Sequence, residues 1–310
     1  MSFQFYKSRS VSEVIVDTFQ FTKSYSRPFL RKILPLVVIY TVLVVIIFVA
    51  TAGGTQGITM MSGGGIDPMF IFSTFSTLIS YVFLFAIMLS GLLVVRFVHQ
   101  NESPDEFDLG YQLRKYLPGF FVLAILYGVT ILLGTILLII PGIYLFIALY
   151  SSYGVYIIER KGVVESLKRA YELSKGAWWL TLGTLILMYL LNMGIALLAG
   201  FPAIIIGFLA GMNPEMIGLD GSFNLAFFIL LVFGTLSSIV SFLFYGIWGI
   251  YMGILYFTLR ERKEGDSIAD EMSDFESELS DEQFSDDDAP ADDSFTDSDP
   301  DSDRNNPDWR

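Results

Sequence analysis

The twenty residues from Ile33 to Ala52 carry no charge. A run of that length restricts what the chain can fold into more than any other feature. A helix needs roughly 20 apolar residues to cross the hydrocarbon core of a bilayer, and only a helix or a closed barrel satisfies its own backbone there. Five more such stretches follow. We place spans at about 33–52, 72–96, 118–140, 142–158, 178–199 and 227–258. The Pro141-Gly142 pair suits a tight turn between the third and fourth. The last span lies in an apolar run from Phe223 to Thr258, long enough to tilt or protrude. After Gly200-Phe201-Pro202, the run from Ala203 to Ala210 is too short for a seventh span and is expected as an outer-surface or re-entrant segment. The run at Ile33 is too long, and too far into the chain, for a signal-peptide core. It is expected to stay in the membrane.

The basic residues set the orientation. All 19 Lys and Arg fall before the first span, between the second and third with the flank at Arg96, between the fourth and fifth, or after the sixth. The other connections hold only Asp67, Glu215 and Asp220. Because cytoplasmic loops collect Lys and Arg, six spans with both termini cytoplasmic satisfy the pattern. A multi-pass protein of a prokaryotic cytoplasmic (inner) membrane is expected.

Charge also divides the chain by region. Residues 261–310 hold 20 Asp and Glu against 4 Lys and Arg, a net of −16, while residues 1–260 carry +3. The expected domains are a cytoplasmic N-terminal segment with an amphipathic helix (1–32), a six-span membrane domain (33–260) and an acidic cytoplasmic tail (261–310). The tail is expected to be disordered, because Ser, Asp, Glu and Pro bury too little apolar surface to offset chain entropy. Its spaced aromatics, Phe275, Phe284, Phe295 and Trp309, allow two readings: docking on a protein partner, or solubilisation alone. Ser285-Asp286-Asp287-Asp288 lacks the Gly and the terminal Glu of a calcium loop.

Three basic-side segments share a pattern. Residues 11–25 place Val11, Val14, Ile15, Thr18, Phe19 and Thr22 on one helical face, and residues 163–177 do the same with Val163, Leu167, Ala170, Tyr171 and Ser174. Phe107 to Leu117 is a weaker version. The expected fold is an all-α membrane protein, with six transmembrane helices as three hairpins. Each hairpin follows a cytoplasmic amphipathic interfacial helix. Trp178 and Trp179 fit an interfacial aromatic belt.

No ionisable residue falls in the middle of a span, which argues against a proton-coupled pump. Arg96 at the inner end of the second span is expected to snorkel to the surface. The single histidine, His99, is expected to be an ordinary boundary residue. One His and no Cys rule out a multi-His metal centre, disulfides and thiolate chemistry. No catalytic residue, metal or cofactor is expected. The polar residues inside the spans are neutral, notably Asn192, Tyr150 and Tyr153. They allow two readings: hydrogen bonds between helices, or the lining of a cavity for lipid or a small molecule. The run Ser62-Gly63-Gly64-Gly65 lacks the Lys of a phosphate loop.

The sixth span carries a stripe of small residues at helical spacing: Gly234, Ser238, Ser241, Gly249 and Gly253, with Tyr245 among them and Gly246 beside it. Small residues let helices approach in lipid. The stripe is expected to pack against other helices, with Phe242, Phe244, Ile247 and Ile254 lying largely elsewhere, many facing lipid.

The stretch Ile139 to Leu145, then Glu159, then Val164 to Gly176 resembles the bacterial membrane proteins grouped with the membrane domain of glycerophosphoryl diester phosphodiesterases and the YciC-like inner-membrane proteins. The stretch from Val14 to Leu30 is also similar, so that the resemblance covers residues 10–260. It implies a six-helix membrane domain and transfers no catalytic residue. The phosphodiesterase activity belongs to a separate soluble barrel with His and Glu catalysts. A carotene oxygenase, a label some such proteins carry, needs several His ligands for iron.

Two classes of function remain. One is a non-enzymatic membrane protein that organises or assists membrane partners or lipid. The other is a transporter or lipid-handling protein with a neutral intramembrane cavity. A solid bundle favours the first and a connected polar cavity the second. A membrane enzyme built on Asn192 and the tyrosines is the outlying reading. Membrane lipid is the expected partner, and nucleic acid is not.

Overall fold

The computed structural model describes residues 3–58, 68–102, 107–212 and 225–285. All regular elements among them are helices: α1 (Val11–Ser24), α2 (Ser26–Ile58), α3 (Pro68–His99), α4 (Leu109–Leu137), α5 (Ile139–Ala148), α6 (Ser152–Ile158), α7 (Val163–Ser174), α8 (Trp178–Met212) and α9 (Leu225–Ser285). Six stretches are long and apolar enough to cross a membrane: Ser26–Ile46, Thr74–His99, Leu109–Leu137, Ile139–Ile158, Trp178–Leu209 and Phe228–Gly265. The loop with Ser62-Gly63-Gly64-Gly65 and the acids Asp67, Glu215 and Asp220 lie outside the described residues.

Local chemistry sets the helix starts. Ser10 caps α1, and Glu13 reaches back to the Ser10 backbone N–H at 2.8 Å. That hydrogen bond, helped by Lys7, draws the Glu13 carboxyl down to about 2. Asp108 accepts from the backbone N–H groups of Gly110 and Tyr111 at the start of α4. Gly176 takes φ +87° between α7 and α8, a conformation open to a residue without Cβ.

Several boundaries differ from the sequence expectation. The turn between the third and fourth spans falls at Leu138, ahead of Pro141-Gly142. Pro141 instead sits in the first turn of α5, where a missing N–H costs nothing. The fourth span is two helices, α5 and α6, broken at Leu149–Ser151. The run Ala203 to Ala210 is neither re-entrant nor separate: α8 continues through Pro202 to Met212. The amphipathic stretch Phe107 to Leu117 is no independent helix, since α4 runs unbroken from Leu109. Its apolar positions Leu109, Leu113 and Tyr116 pack on the core as the first turns of that span. Finally, α9 remains helical to Ser285, into the tail expected to be disordered. An established helix propagates more easily than a new one nucleates, and Glu, Ala, Met and Leu in 264–285 are good helix formers. Residues 286–310 lie outside the described residues. The chain divides into two compact units, Met1–Gly265 and Asp266–Arg310.

The four basic segments meet at one end of the first unit. Tyr6 contacts His99 (3.2 Å) and the Arg260 guanidinium. Arg262 donates to the Arg9 carbonyl at 2.8 Å. Lys32 donates to the Phe107 carbonyl at 2.6 Å, and Arg169 pairs with both Glu159 and Glu264. We call this the basic end.

Burial is uneven along the bundle. On α3 the buried residues run from Ala86 to Phe97, and on α9 they gather from Phe242 to Leu259. Both sets belong to the half nearer the basic end. Towards the other end fewer side chains are covered. Leu78 on α3, Val42 on α2 and Leu198 on α8 are all exposed. Exposed apolar side chains on this scale are expected where acyl chains replace water.

Candidate functional site

Glycine holds the basic half closed. A Cβ added at Gly249 would collide with the Met88 carbonyl oxygen, and one at Gly91 with the Gly246 carbonyl oxygen. At Gly253 it would lie 2.8 Å from Val95, and at Gly246 2.5 Å from Ile33. Here α9 therefore rests backbone to backbone on α3, with α2 against its flank. This contact buries the residues expected to face lipid: Phe242, Phe244 and Ile254 all lie in the core. Phe242 packs on Tyr40 with the ring centres 3.8 Å apart and the planes tilted by 39°. Close helix approach leaves α9 surrounded on several sides, so its bulky faces pack as well as its small one.

The stripe changes role along its length. Nothing lies within 4 Å of a Cβ built at Gly234. Gly234 and Ser238 line an apolar groove of about 230 Å³ with Val44 and Val45 of α2 and Ala203 of α8. Ser238 and Ser241 also line a second groove, of about 440 Å³, between α2, α3 and α9. The lining of this second groove is rich in hydroxyls: Tyr40, Thr77, Ser80, Tyr81, Ser237, Ser238, Ser241 and Tyr245, closed by Leu84 and Phe242. Tyr40 donates to Ser80 across it at 3.2 Å, while Ser238 returns its own proton to the Gly234 carbonyl. Tyr81 at the rim is exposed, so the groove opens at the surface of the bundle, between membrane-compatible helices. No charged side chain lines it. At a rise of about 1.5 Å per residue, Ser80 lies about 24 Å along α3 from Arg96, in the far half of a core roughly 30 Å thick.

Of the tyrosines and the asparagine singled out from sequence, none lines either groove. Tyr150 and Tyr153 are buried near the break between α5 and α6. Tyr150 accepts a hydrogen bond from the Trp248 indole N–H, and Tyr153 packs on Phe120 and Tyr127. Tyr251 beside them shares a 2.9 Å hydrogen bond with Thr184 of α8. These residues tie α4, α6, α8 and α9 together. Asn192 is half-buried on α8, away from them. Tyr40 and Ser80 are not legible as site residues in the sequence because each is one of several hydroxyl residues in its own span, and Tyr245 reads only as part of the stripe. Only the approach of three helices brings them together.

At the basic end an ion-pair network surrounds Glu159. Its carboxylate meets Lys161 (2.7 Å) and Arg169 (3.4 Å) and accepts from Tyr256 at 2.8 Å. Burial alone would raise its pKa; the hydrogen bonds from Lys161 and Tyr256 and the Arg169 charge bring it below the ordinary carboxylate value. His99 lies half-buried among Phe5, Tyr6 and Phe257. Arg96 does not snorkel. It is 3% exposed, held over the rings of Phe97 and Tyr116. Those two rings cover its guanidinium.

A family model described as an uncharacterised protein family (UPF0259) matches residues 55–233, more than half of the chain. No curated protein and no solved structure matches.

Proposed function

The chain belongs to this uncharacterised family, UPF0259, and from that premise we propose that it is a non-enzymatic membrane protein that holds a lipid in the groove between α2, α3 and α9. The observation that carries the reading is the groove itself: hydroxyl-rich, uncharged, inside the membrane span and open to the side. Hydroxyls can bind the glycerol and ester oxygens of a lipid, and the apolar groove that shares Ser238 can take an acyl chain. Of the two classes of function left by the sequence, lipid handling is the one this geometry supports. Organising membrane partners is the lesser reading, and a partner for the acidic tail remains part of it. The proposal includes an inner membrane with both termini in the cytoplasm, supported by the gathering of basic segments at one end. It also includes kinship with the membrane domain of glycerophosphoryl diester phosphodiesterases and YciC-like proteins, supported by the motifs at Ile139–Leu145 and Val164–Gly176.

Native mass spectrometry of the purified full chain tests it. The wild type should retain lipid. A Ser238→Leu, Ser241→Leu variant, which fills the groove, should lose that lipid while melting within a few degrees of wild type. Equal lipid retention by the two proteins would sink the proposal.

A further inference from the structure

A guanidinium stays charged at any pH a protein meets, and a buried charge without a partner is strongly unfavourable. Arg9 shows how this fold satisfies a buried guanidinium held for structure. It is 1% exposed, its Nε donates to Asp17 at 2.6 Å, and its other nitrogens donate to the carbonyls of Gln4, Phe5 and Lys7. Arg96 is buried to a similar degree and has no carboxylate or carbonyl partner among the described residues; the polar group beside it is the Tyr116 hydroxyl. Its Nε and Nη1 have no hydrogen-bond partner, and it forms no ion pair among the described residues. What surrounds it adds positive charge. The Arg96 guanidinium lies 5.1 Å from the centre of the Tyr116 ring, and the Lys115 ammonium lies 5.3 Å from the same ring. The Tyr116 ring also meets that of Tyr156, edge to face at 6.3 Å, and Arg160 follows Tyr156 by four residues. Lys115 and Arg160 are both exposed.

We propose that Arg96, with Lys115, Arg160 and the Tyr116 hydroxyl, binds a phosphate group, presented by the headgroup of an anionic phospholipid in the adjoining leaflet. Phosphate supplies what the site lacks: negative charge and several acceptors, in a geometry that a guanidinium fork matches. Neutral acceptors nearby could take a hydrogen bond from Arg96 but could not neutralise it. The lipid source follows from position. Arg96 closes the basic end of a membrane-spanning stretch, the depth at which headgroups lie, and basic clefts between transmembrane helices recognise such headgroups. The site is at the opposite end of α3 from the hydroxyl-lined groove, so it does not rest on the groove's function, and either can fail alone.

The test is the melting temperature of the full chain in detergent, with no addition, with phosphatidylglycerol, with diacylglycerol of the same acyl chains, and with inorganic phosphate. Phosphatidylglycerol should raise it and diacylglycerol should not. Arg96→Gln should lose most of that rise. Without lipid it should melt within a few degrees of wild type, because the lost ring contacts of Arg96 are offset by removal of a buried charge that has no counter-ion. Lys115→Gln combined with Arg160→Gln changes only exposed side chains and should also lose most of the rise, so the test holds even if Arg96→Gln fails to fold. A rise with inorganic phosphate equal to that with the lipid keeps the site and assigns it to soluble phosphate. The proposal is overturned if diacylglycerol matches phosphatidylglycerol, or if the variants that fold respond as wild type does.

Discussion

The two halves of α9 are built from the same kind of residue and do opposite things. Near the basic end, Gly246, Gly249 and Gly253 let the helix sit on the backbone of α3 and the flank of α2. Two to three turns further on, Gly234, Ser238 and Ser241 face two grooves. What differs is the opposing surface. Gly91 and the Met88 carbonyl meet the first half at close range. Thr77, Ser80 and Tyr81 face the second across the hydroxyl-lined groove. A small residue permits close approach, but it does not bring it about. In lipid, association rests on packing over the whole contact, and α3 offers a complementary surface over one half only.

The comparison breaks most visibly at Gly249. Gly249→Leu should destabilise the protein by upward of about 3 kcal/mol, since backbone and not a flexible side chain stands in the way. Thermal or denaturant unfolding in detergent measures it, and a variant as stable as wild type would show that the α3–α9 contact does not hold the bundle together.

A smaller loss is expected at Tyr251, in the tight half. Tyr251→Phe deletes the hydrogen bond to Thr184 and should cost about 1 kcal/mol. Thr184 also donates to the Thr181 carbonyl at 3.0 Å, so its hydroxyl is not orphaned. A double-mutant cycle with Thr184→Val isolates the pair.

The network around Glu159 predicts a pH dependence. Its folded-state pKa is depressed, so its contribution is present above the ordinary carboxylate value of about 4.3. That contribution fades as pH falls through the lower folded value. Glu159→Gln should lower stability modestly at neutral pH and flatten the acid limb of the melting curve. A mutant curve parallel to wild type through the acid range would show that the network contributes nothing there.

The smallest effect belongs to the far half. Gly234→Leu has open space before it and should shift stability by less than about 0.5 kcal/mol. Set beside Gly249→Leu, it measures the contrast directly: two glycines on one stripe, one substitution, and a difference of several-fold in cost. Similar losses at both would mean that the halves are packed alike.

Much of this molecule was legible from its sequence. The six membrane-compatible helices follow from runs such as Ile33 to Ala52, and the common end of the basic segments from where Lys and Arg fall. Both are local properties, because the bilayer core acts as a solvent that tests each segment for charge and length. The caps at Ser10 and Asp108 are equally local. What only the tertiary structure decided is what each polar or small residue meets. It put Arg96 under Tyr116 instead of at the surface, tied Tyr150 and Tyr153 into a packed seam, and carried α8 straight through Pro202. It also divided one stripe on α9 into a contact and a groove. These outcomes depend on the face a neighbouring helix presents and on how closely it packs. Residues distant in the chain set both, and the periodicity of a single helix carries no record of them.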